Sequence, residues 1–424
     1  MFKHLLLSMM TVFAASATLT AQATVEDELR TMREQIQQLE QRLQTNDSAS
    51  RKPNTEAAFN PAISLILSGT YGSYNQNHEG AKITGFELSP NDHGYSRSFN
   101  LGESELGISA NIDPQFRGVA TFALEAEGGL GVENAYVQTS ALGNGYTLKM
   151  GRFFSGLGYL NELHAHYWDF VDQPLVYRTF WDKQLGDDGL QLKWLATSDI
   201  YFELGAEVGR GRGYPGSDRK DNNGAGATTL FAHLGDDIGA SHSWRAGMSL
   251  HQTRRVDAVA EAFGVSNSFS GDSHTAGLDF VWKYAPNGNS SVSNFKLQGE
   301  YFQRRESGSL TYNTEVTPVT DNYSVTQSGW YLQSVYQFMP RWRAGLRYDR
   351  LDSGTADVGA NLSNVPASYQ FTPTRNTLML DYSPSEFSRL RLQLAQDKSR
   401  EGLADNMLFM QYVMSLGAHG GHRF

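Results

Sequence analysis

The chain is organised around one long connection, the stretch GRFFSGLGYLNELHAHYWDFVDQPLVYRTFWDKQLGDDG of residues 151–189. It separates two segments whose apolar and polar residues alternate as they do in β-strands, yet it is far too long to be a turn. Long connections without regular structure are usually either functional or disordered. The many aromatic residues argue against disorder, because disordered segments contain few of them. The stretch therefore predicts an ordered, functional loop between two strands.

Sixteen segments with a two-residue period follow from Phe59 onward. They lie near residues 61–75, 99–111, 114–124, 130–139, 146–152, 188–196, 200–210, 227–236, 243–253, 274–285, 294–305, 326–338, 341–351, 374–383, 386–397 and 404–416. Short and long connections alternate along the chain. The long ones are 76–98, 153–187, 211–226, 254–273, 306–325 and 352–373. A membrane barrel has short turns at one rim and long loops at the other, whereas a soluble β-sandwich has no reason for this alternation.

The two faces of these segments differ in character. Within residues 341–351, Leu346 and Tyr348 fall on one face, and Arg343 and Arg347 fall on the other. Unpaired buried charge is prohibitively unfavourable, so the charged face predicts a water-filled lumen and the apolar face predicts contact with lipid. The expected fold class is all-β: a 16-stranded antiparallel transmembrane β-barrel that occupies residues 59–424.

Residues 1–23 read as a signal peptide. A short basic start is followed by an apolar run that is too short to span a bilayer, and then by the small-residue cleavage site Ala21-Gln22-Ala23. Cysteine is absent from the chain, which excludes disulfide bonds, thiolate metal sites and a cysteine nucleophile. We therefore expect an exported protein in the outer membrane of a Gram-negative bacterium, in contact with outer-membrane lipid.

Residues 24–45 carry apolar side chains at spacings of four and three, which is the heptad pattern of a coiled coil. They predict a short N-terminal periplasmic coiled-coil helix that joins protomers, most simply in a homotrimer. About three heptads are marginal as an isolated helix, so an amphipathic helix lying against its own chain is the alternative. Residues 46–58 are polar and predict a linker.

Three motifs carry a resemblance to a known family. They are FNPAISLILSGTY (59–71), GRFFSGLGYLNELHAHYWDFVDQPLVY (151–177) and LGAHGGHRF (416–424), the last ending in an aromatic residue as outer-membrane barrels typically do. The chain resembles a proteobacterial outer-membrane family whose members are labelled porin-like, phosphate-selective-porin-like or zinc-regulated TonB-dependent receptor. The resemblance implies a channel or an uptake receptor in the outer membrane.

The layout is also similar to that of general porins, in which the third external loop folds into the barrel and narrows it. That similarity implies an inward-folded loop at 153–187. The acids expected at the constriction are Glu162, Asp169, Asp172, Asp182, Asp187 and Asp188, and the bases expected on the wall are Arg341, Arg343, Arg347, Arg389 and Arg391. Acids facing bases across a narrow pore would create a transverse field that discriminates among ions. The alternative is that these groups pair and simply brace the loop.

His164 and His166 are the first candidate metal ligands, with Glu162, Asp169 and Asp172 nearby. Imidazole and carboxylate groups suit zinc, although isolated histidines more often serve as hydrogen-bonding groups. His419 and His422 form a second candidate pair. No cofactor is expected apart from this possible zinc.

No catalytic motif of the serine-hydrolase, zinc-protease or phosphate-loop type occurs, so we expect no enzyme and no nucleic-acid ligand. Too few residues precede the barrel to form the folded plug of a 22-stranded energy-coupled receptor. The expected function is passive diffusion of small hydrophilic solutes or ions through an outer-membrane porin. A zinc-linked uptake receptor or channel is the alternative, and a surface enzyme or adhesion barrel is a more distant one.

Overall fold

A computed structural model of the chain describes residues 61–78, 82–92, 94–124, 128–140, 142–217, 219, 223–262 and 264–417. Seventeen strand segments make up nearly all of its regular structure. They are β1 Ala62–Tyr74, β2 Ser98–Leu101, β3 Ser104–Asn111, β4 Phe116–Leu124, β5 Leu130–Thr139, β6 Tyr146–Phe154, β7 Gly186–Leu195, β8 Tyr201–Gly209, β9 Ala227–Ile238, β10 His242–Ala262, β11 Val265–Tyr284, β12 Asn294–Tyr312, β13 Val319–Met339, β14 Trp342–Asp352, β15 Thr374–Ser385, β16 Ser388–Lys398 and β17 Asp405–Gly417.

Within the described ranges, helical structure is confined to the connections. One short α-helix, α1, spans Leu175–Trp181. Three single-turn 3-10 helices span Ala165–Tyr167, Pro286–Gly288 and Gly359–Ser363. None of the helices in the described part of the chain is long and apolar enough to cross a membrane.

The strands close into one barrel. From β3 to β17 each strand pairs antiparallel with the next, and β17 then pairs antiparallel with β1, with Ser64 opposite Gly417 and Tyr74 opposite Met407. The segments β2 and β3 both pair with successive stretches of β1, so together they fill one position in the ring. The barrel therefore has sixteen antiparallel positions, which confirms the expected fold class.

Two connections that the sequence predicted as long loops are instead strand hairpins. Strands β10 and β11 stay paired up to Ala262 opposite Val265, within the predicted loop 254–273. Strands β12 and β13 stay paired up to Tyr312 opposite Val319, within the predicted loop 306–325. Antiparallel pairing satisfies the backbone donors and acceptors wherever the two chains run, so these hairpins extend the wall well beyond its neighbouring strands.

An apolar belt covers the outside of the barrel. Leu346 and Leu278 are 60% and 59% exposed, and leucines alternate with buried polar residues along β16. Aromatic pairs such as Trp342–Tyr382 and Trp330–Tyr348 lie on the wall, as do the aromatic girdles of barrels in bilayers. Exposed apolar area of this extent requires lipid, and the fold places the protein in the outer membrane of a Gram-negative bacterium.

Several predicted features lie outside the described residues. They are the signal peptide 1–23, the coiled-coil segment 24–45, the linker 46–58, and the chain end with His419, His422 and Phe424.

Candidate functional site: the loop inside the barrel

The connection between β6 and β7, residues 155–185, lies inside the barrel, and we refer to it as the inner loop. Its apolar side chains are almost completely shielded from solvent, with Leu157, Leu175 and Phe180 at 0% exposure. The helix α1 begins directly after Pro174, a residue well suited to helix starts because it has no N–H group to satisfy. All seven residues of α1 are buried. The inner loop is therefore a packed element within the lumen.

A hydrophobic cluster holds the inner loop in place. From the wall it contains the inward-facing Phe302, Tyr331 and Leu351, and from the connection between β1 and β2 it contains Ile83 and Phe86. The inner loop supplies the remaining buried members: Leu157, Leu160, Trp168, Leu175, Val176, Tyr177, Phe180, Trp181 and Leu185. The lumen, which the sequence predicted to be water-filled and narrowed by this loop, is thus partly filled by a packed apolar cluster, because apolar wall residues meet apolar loop residues.

Glu300 on β12 anchors the beginning of the inner loop. Its carboxylate accepts hydrogen bonds from the backbone N–H groups of Tyr159 and Leu160, each at 3.0 Å. It also accepts bonds from the hydroxyls of Tyr177 at 2.9 Å and Tyr331 at 2.6 Å. Glu300 is only 3% exposed, and four donors satisfy the carboxylate that burial would otherwise leave without partners.

Asp169 anchors the middle of the inner loop to the same part of the wall. It pairs with Lys296 on β12 and with Arg343 on β14, and its Oδ1 lies 3.2 Å from Arg343 Nη1. Arg343 also pairs with Asp381 on β15 at 2.6 Å. Burial alone would raise the pKa of Asp169, but the charges of Lys296 and Arg343 outweigh it and hold this pKa below its usual range.

Asp172 forms a second anchor a few residues later. It pairs with Arg347 on β14 at 3.0 Å and with Arg375 on β15, and it accepts a hydrogen bond from Gln393 Nε2 at 2.8 Å. The two arginines also pair with wall carboxylates, Arg347 with Asp349 and Arg375 with Asp397. Burial would raise the pKa of Asp172, yet the two arginines keep it below its ordinary value.

Other predicted pore residues also contact the inner loop. Glu162 pairs with Lys193 on β7 at 3.1 Å. Arg389 donates to the carbonyl oxygens of His166 and Trp168, and Arg391 donates to that of Trp168 at 2.8 Å. These arginines therefore cap backbone carbonyls of the inner loop, and they do so from the inward face of β16.

The other four predicted pore residues occupy different positions. Asp182 is in the inner loop, at the end of α1, and has a φ of 65°. Asp187 lies at the start of β7 and accepts hydrogen bonds from the backbone N–H groups of residues 211 and 212. Asp188 pairs with Arg152 at 2.6 Å. Each lies two residues along its strand from the outward-facing pair Met150 and Leu190, so this ion pair is on the outside of the wall. Arg341 is exposed in the short turn between β13 and β14.

The loop acids thus touch the wall arginines and do not face them across a gap. Asp169 with Arg343 and Asp172 with Arg347 are contacts of 3.2 and 3.0 Å, and of the four side chains Arg343 alone is partly exposed. This geometry is the alternative in which the charges brace the loop. The expected transverse field needs separated charges, and it does not describe these pairs.

The two candidate histidines meet carboxylates that the sequence did not single out. His164 Nδ1 lies 2.8 Å from Glu133 Oε2 and 3.1 Å from Glu105 Oε2, and His166 Nδ1 lies 2.7 Å from Glu105 Oε1. Burial would lower the pKa of His164, but its hydrogen bonds to Glu105 and Glu133 raise it to about 10. Glu162, Asp169 and Asp172, the carboxylates expected near these histidines, bind wall cations instead.

The connection between β1 and β2 crosses above the inner loop. Asp92 forms a two-pronged ion pair with Arg178 of α1, at 2.5 and 2.8 Å. The backbone N–H of Thr84 donates to the carbonyl of Ser399, near the end of β16, and Glu87 pairs with Arg255 of β10 at 2.6 Å. This connection therefore ties α1 to both sides of the barrel mouth.

Among the described residues, two polar cavities lie along the wall that runs from β17 through β1 to β5, and the first of them borders the inner loop. One, of about 320 Å³, lies between the inner loop and β1 and β17, and Tyr95, His166 and Gln411 help to line it. The other, of about 340 Å³, is a recess lined by Ser64, Ser109 and other side chains of β1 to β5. They are the candidate route past the inner loop.

Several of these anchoring residues were not predicted from sequence. They are Glu105, Glu133, Lys296, Glu300, Asp349, Arg375 and Asp397. Each lies on the inward face of its strand, so the two-residue period could have found most of them. Glu133 is the exception, because it is the extra residue of a β-bulge between Val132 and Asn134.

Comparisons with known proteins agree with this architecture. No protein-family model matches the chain. Similar solved structures include the trimer form of OmpT of Vibrio cholerae (TM-score 0.53, 12% identity, 84% of this chain and 99% of that one) and the anion-selective porin from Comamonas acidovorans (0.51, 12%, 84% and 99%). The outer membrane channel DcaP of Acinetobacter baumannii is also similar (0.52, 11%, 84% and 97%). At these identities the likeness shows the fold.

One relative is closer in sequence. An uncharacterized protein from Aquifex aeolicus strain VF5 is 31% identical over 400 residues, which cover 88% of this chain and 81% of that protein. This chain therefore belongs to the same family as the Aquifex protein, and its fold is that of the sixteen-stranded outer-membrane porins.

Proposed function

We propose that the protein is a passive outer-membrane channel that admits small hydrophilic solutes or ions along the wall from β17 to β5. The observation that carries this proposal is the uneven packing of the inner loop, which meets β3 and β5 through His164 and His166 but leaves polar cavities along that part of the wall. Its strongest anchors are on β12 to β16, through Glu300, Arg343, Arg347, Arg375 and Arg391. The polar cavities lie on the other side, against β1 to β5 and β17.

The chemistry of that side suits water and polar solutes. The recess is lined by hydroxyl and amide side chains, among them Ser64, Thr121 and Gln138, and by Arg117, which donates to Ser109 Oγ at 3.1 Å. The comparison proteins described as porins or channels support the same kind of function for this fold. The finer possibilities, a phosphate-selective or a zinc-linked channel, remain expectations of the family resemblance.

Single-cysteine variants test the route, because the chain contains no cysteine of its own. Ser109 lies in the recess, whereas Ser249 is 2% exposed beneath the inner loop, where its Oγ accepts a hydrogen bond from the backbone N–H of Gly158 at 3.1 Å. A charged thiol reagent should lower the single-channel conductance of Ser109→Cys in planar bilayers. The matched variant Ser249→Cys should keep its conductance.

Two results would contradict the proposal. A wild-type barrel that shows no conductance in planar bilayers would exclude a passive channel. Block of Ser249→Cys without block of Ser109→Cys would place the route on the other side of the inner loop.

A further inference from the structure

Three ligand-type side chains converge where the inner loop meets β3 and β5. One ligand atom each of Glu105, Glu133 and His164 lie within 4.8 Å of one another. They come from three separate elements, so the fold and not local sequence brings them together. A fourth ligand-type group, His166, contacts Glu105 at 2.7 Å, and its ring lies 5.8 Å from that of His164 in a stacked arrangement. We call these four residues the His164 cluster.

One nitrogen atom of this cluster serves two carboxylates. His164 Nδ1 is 2.8 Å from one oxygen of Glu133 and 3.1 Å from one oxygen of Glu105. A single N–H hydrogen bond satisfies one acceptor well, whereas a metal ion bonded to all three atoms would satisfy all of them. Ligand atoms of a tetrahedral zinc site with bonds of about 2.0 Å lie roughly 3.3 Å apart, so the cluster needs only small side-chain shifts.

A β-bulge builds the site into the wall. Asn134 pairs with Thr121 and Val132 pairs with Phe122, which leaves Glu133 as the extra residue of β5. Bulges redirect side chains, and here Glu133 and Asn134, neighbours in sequence, both reach His164. The side-chain amide of Asn134 lies 2.9 Å from His164 Nε2. The amide atom at this distance is Nδ2; a 180° rotation of the amide, which exchanges its oxygen and nitrogen, lets Oδ1 accept the Nε2 hydrogen and leaves Nδ1 to bind the ion.

The surroundings favour a bound ion over a solvated one. Glu105 is 3% exposed, and the other members of the cluster are at least three-quarters buried. The cavity of about 320 Å³ reaches His166, so an ion has a polar path to the cluster. Two carboxylates and two imidazoles are a ligand set that suits zinc and related divalent ions.

We propose that Glu105, Glu133 and His164, with His166 beside them, form a binding site for a divalent transition-metal ion of the zinc type. The ion would tie the inner loop to β3 and β5, the side on which the anchors to β12 to β16 do not act. The site does not depend on the channel function, since a barrel that conducts nothing could still hold the ion.

Metal titration of the intact protein in detergent tests the proposal. The chain is first freed of metal with a chelator, and Zn²⁺ binding is then followed by calorimetry. Co²⁺ serves as a second probe, because its visible absorption reports the number and type of its ligands. We expect one tight Zn²⁺ site in the wild type. Glu133→Gln and His164→Asn should each weaken Zn²⁺ binding by at least about 100-fold. Losing a group that only orients a metal ligand costs at most about that much.

A matched control comes from another histidine in the same lumen. His233 Nδ1 lies 3.1 Å from Glu203 and belongs to no three-residue ligand group found among the described residues. His233→Asn should therefore bind Zn²⁺ as the wild type does. The heat-modified mobility of the barrel on gels verifies folding, and either Glu133→Gln or His164→Asn alone suffices if the other does not fold.

Two outcomes would overturn the proposal. Absence of tight Zn²⁺ binding to the wild type would show that the cluster is a set of ion pairs that only anchors the loop. Equal Zn²⁺ affinity and equal Co²⁺ spectra for the wild type, Glu133→Gln and His164→Asn would assign the metal to other residues.

Discussion

Replacing Asp169 by asparagine should loosen the inner loop much more than the same change at Asp172, although both acids form two ion pairs. The reason is the balance of charge around each. Around Asp169 three cations face two carboxylates: Lys296, Arg343 and Arg391, against Asp169 and Asp381. Around Asp172 two cations face three carboxylates: Arg347 and Arg375, against Asp172, Asp349 and Asp397. Asp169→Asn therefore increases the excess of positive charge in the first group. Asp172→Asn removes the excess of negative charge in the second group.

The expected magnitudes follow from burial. Asp169 and Asp172 are each 4% exposed. Removing one partner of a buried ion pair costs about 3–5 kcal/mol, because the remaining charge is left uncompensated. We expect this cost for Asp169→Asn. In Asp172→Asn each arginine keeps a carboxylate, so the cost should approach that of a hydrogen bond to a charged group, about 1.5 kcal/mol. At 1.4 kcal/mol per factor of ten, local opening becomes roughly 10² to 10³ times more frequent in the first case and about ten times in the second.

Hydrogen exchange of the inner-loop amides measures this opening directly. The backbone N–H groups of Val171 and Leu175 donate to Gln393 and Asp349 on the wall, so their exchange requires the loop to leave it. The exposed acid Asp199, in the turn between β7 and β8, provides the control substitution Asp199→Asn, which should change nothing. Exchange that accelerates in Asp172→Asn as much as in Asp169→Asn would refute the argument from charge balance.

Two further predictions concern the same loop. The pKa values of Asp169 and Asp172 are lowered in the folded barrel, so their stabilisation is complete above the ordinary carboxyl pKa of about 4 and disappears as the pH falls through the lowered values. Exchange of the inner-loop amides, corrected for its intrinsic pH dependence, should therefore accelerate as the pH falls from 5 to 3; exchange that stays unchanged over this interval would contradict it. Leu175→Ala shortens a side chain with no exposed surface and should destabilise the inner loop by about 2–5 kcal/mol, measured by the same exchange. The control Leu362→Ala, at a 65% exposed side chain, should have no effect. Equal exchange in the two variants would show that the hydrophobic cluster does not hold the loop.

The strand pattern was predictable because lipid imposes it. Every strand that crosses the membrane must alternate between an apolar side for lipid and a polar side for the lumen, and β16 shows this alternation from Arg389 to Leu394. Where β10 to β13 rise above the membrane, both faces meet water or other protein and the constraint disappears. Residues 254–262 and 306–312 therefore read as loops in the sequence, although backbone pairing continues through them.

The partners of the inner loop were not predictable in the same way. Glu300 is about 140 residues from the backbone groups that it binds, and Arg375 is 203 residues from Asp172. Such pairs depend on which side of a closed ring the loop meets, and the two-residue period carries no information about that. The bulge at Glu133 presents a related difficulty, since one extra residue reverses the face that alternation assigns.

The same limit applies to the charges expected at the constriction, for which the sequence left open both a transverse field and pairing that braces the loop. Two opposite charges 3 Å apart act on a distant solute as a dipole, whose field falls off faster than that of either charge alone. Asp172 with Arg347, at 3.0 Å, is such a pair, and Asp169 with Arg343, at 3.2 Å, is another. Salt at physiological strength screens what remains beyond a Debye length of about 8 Å. Alternation therefore shows which charges face the lumen, but only the contacts between the inner loop and distant strands show how these charges pair.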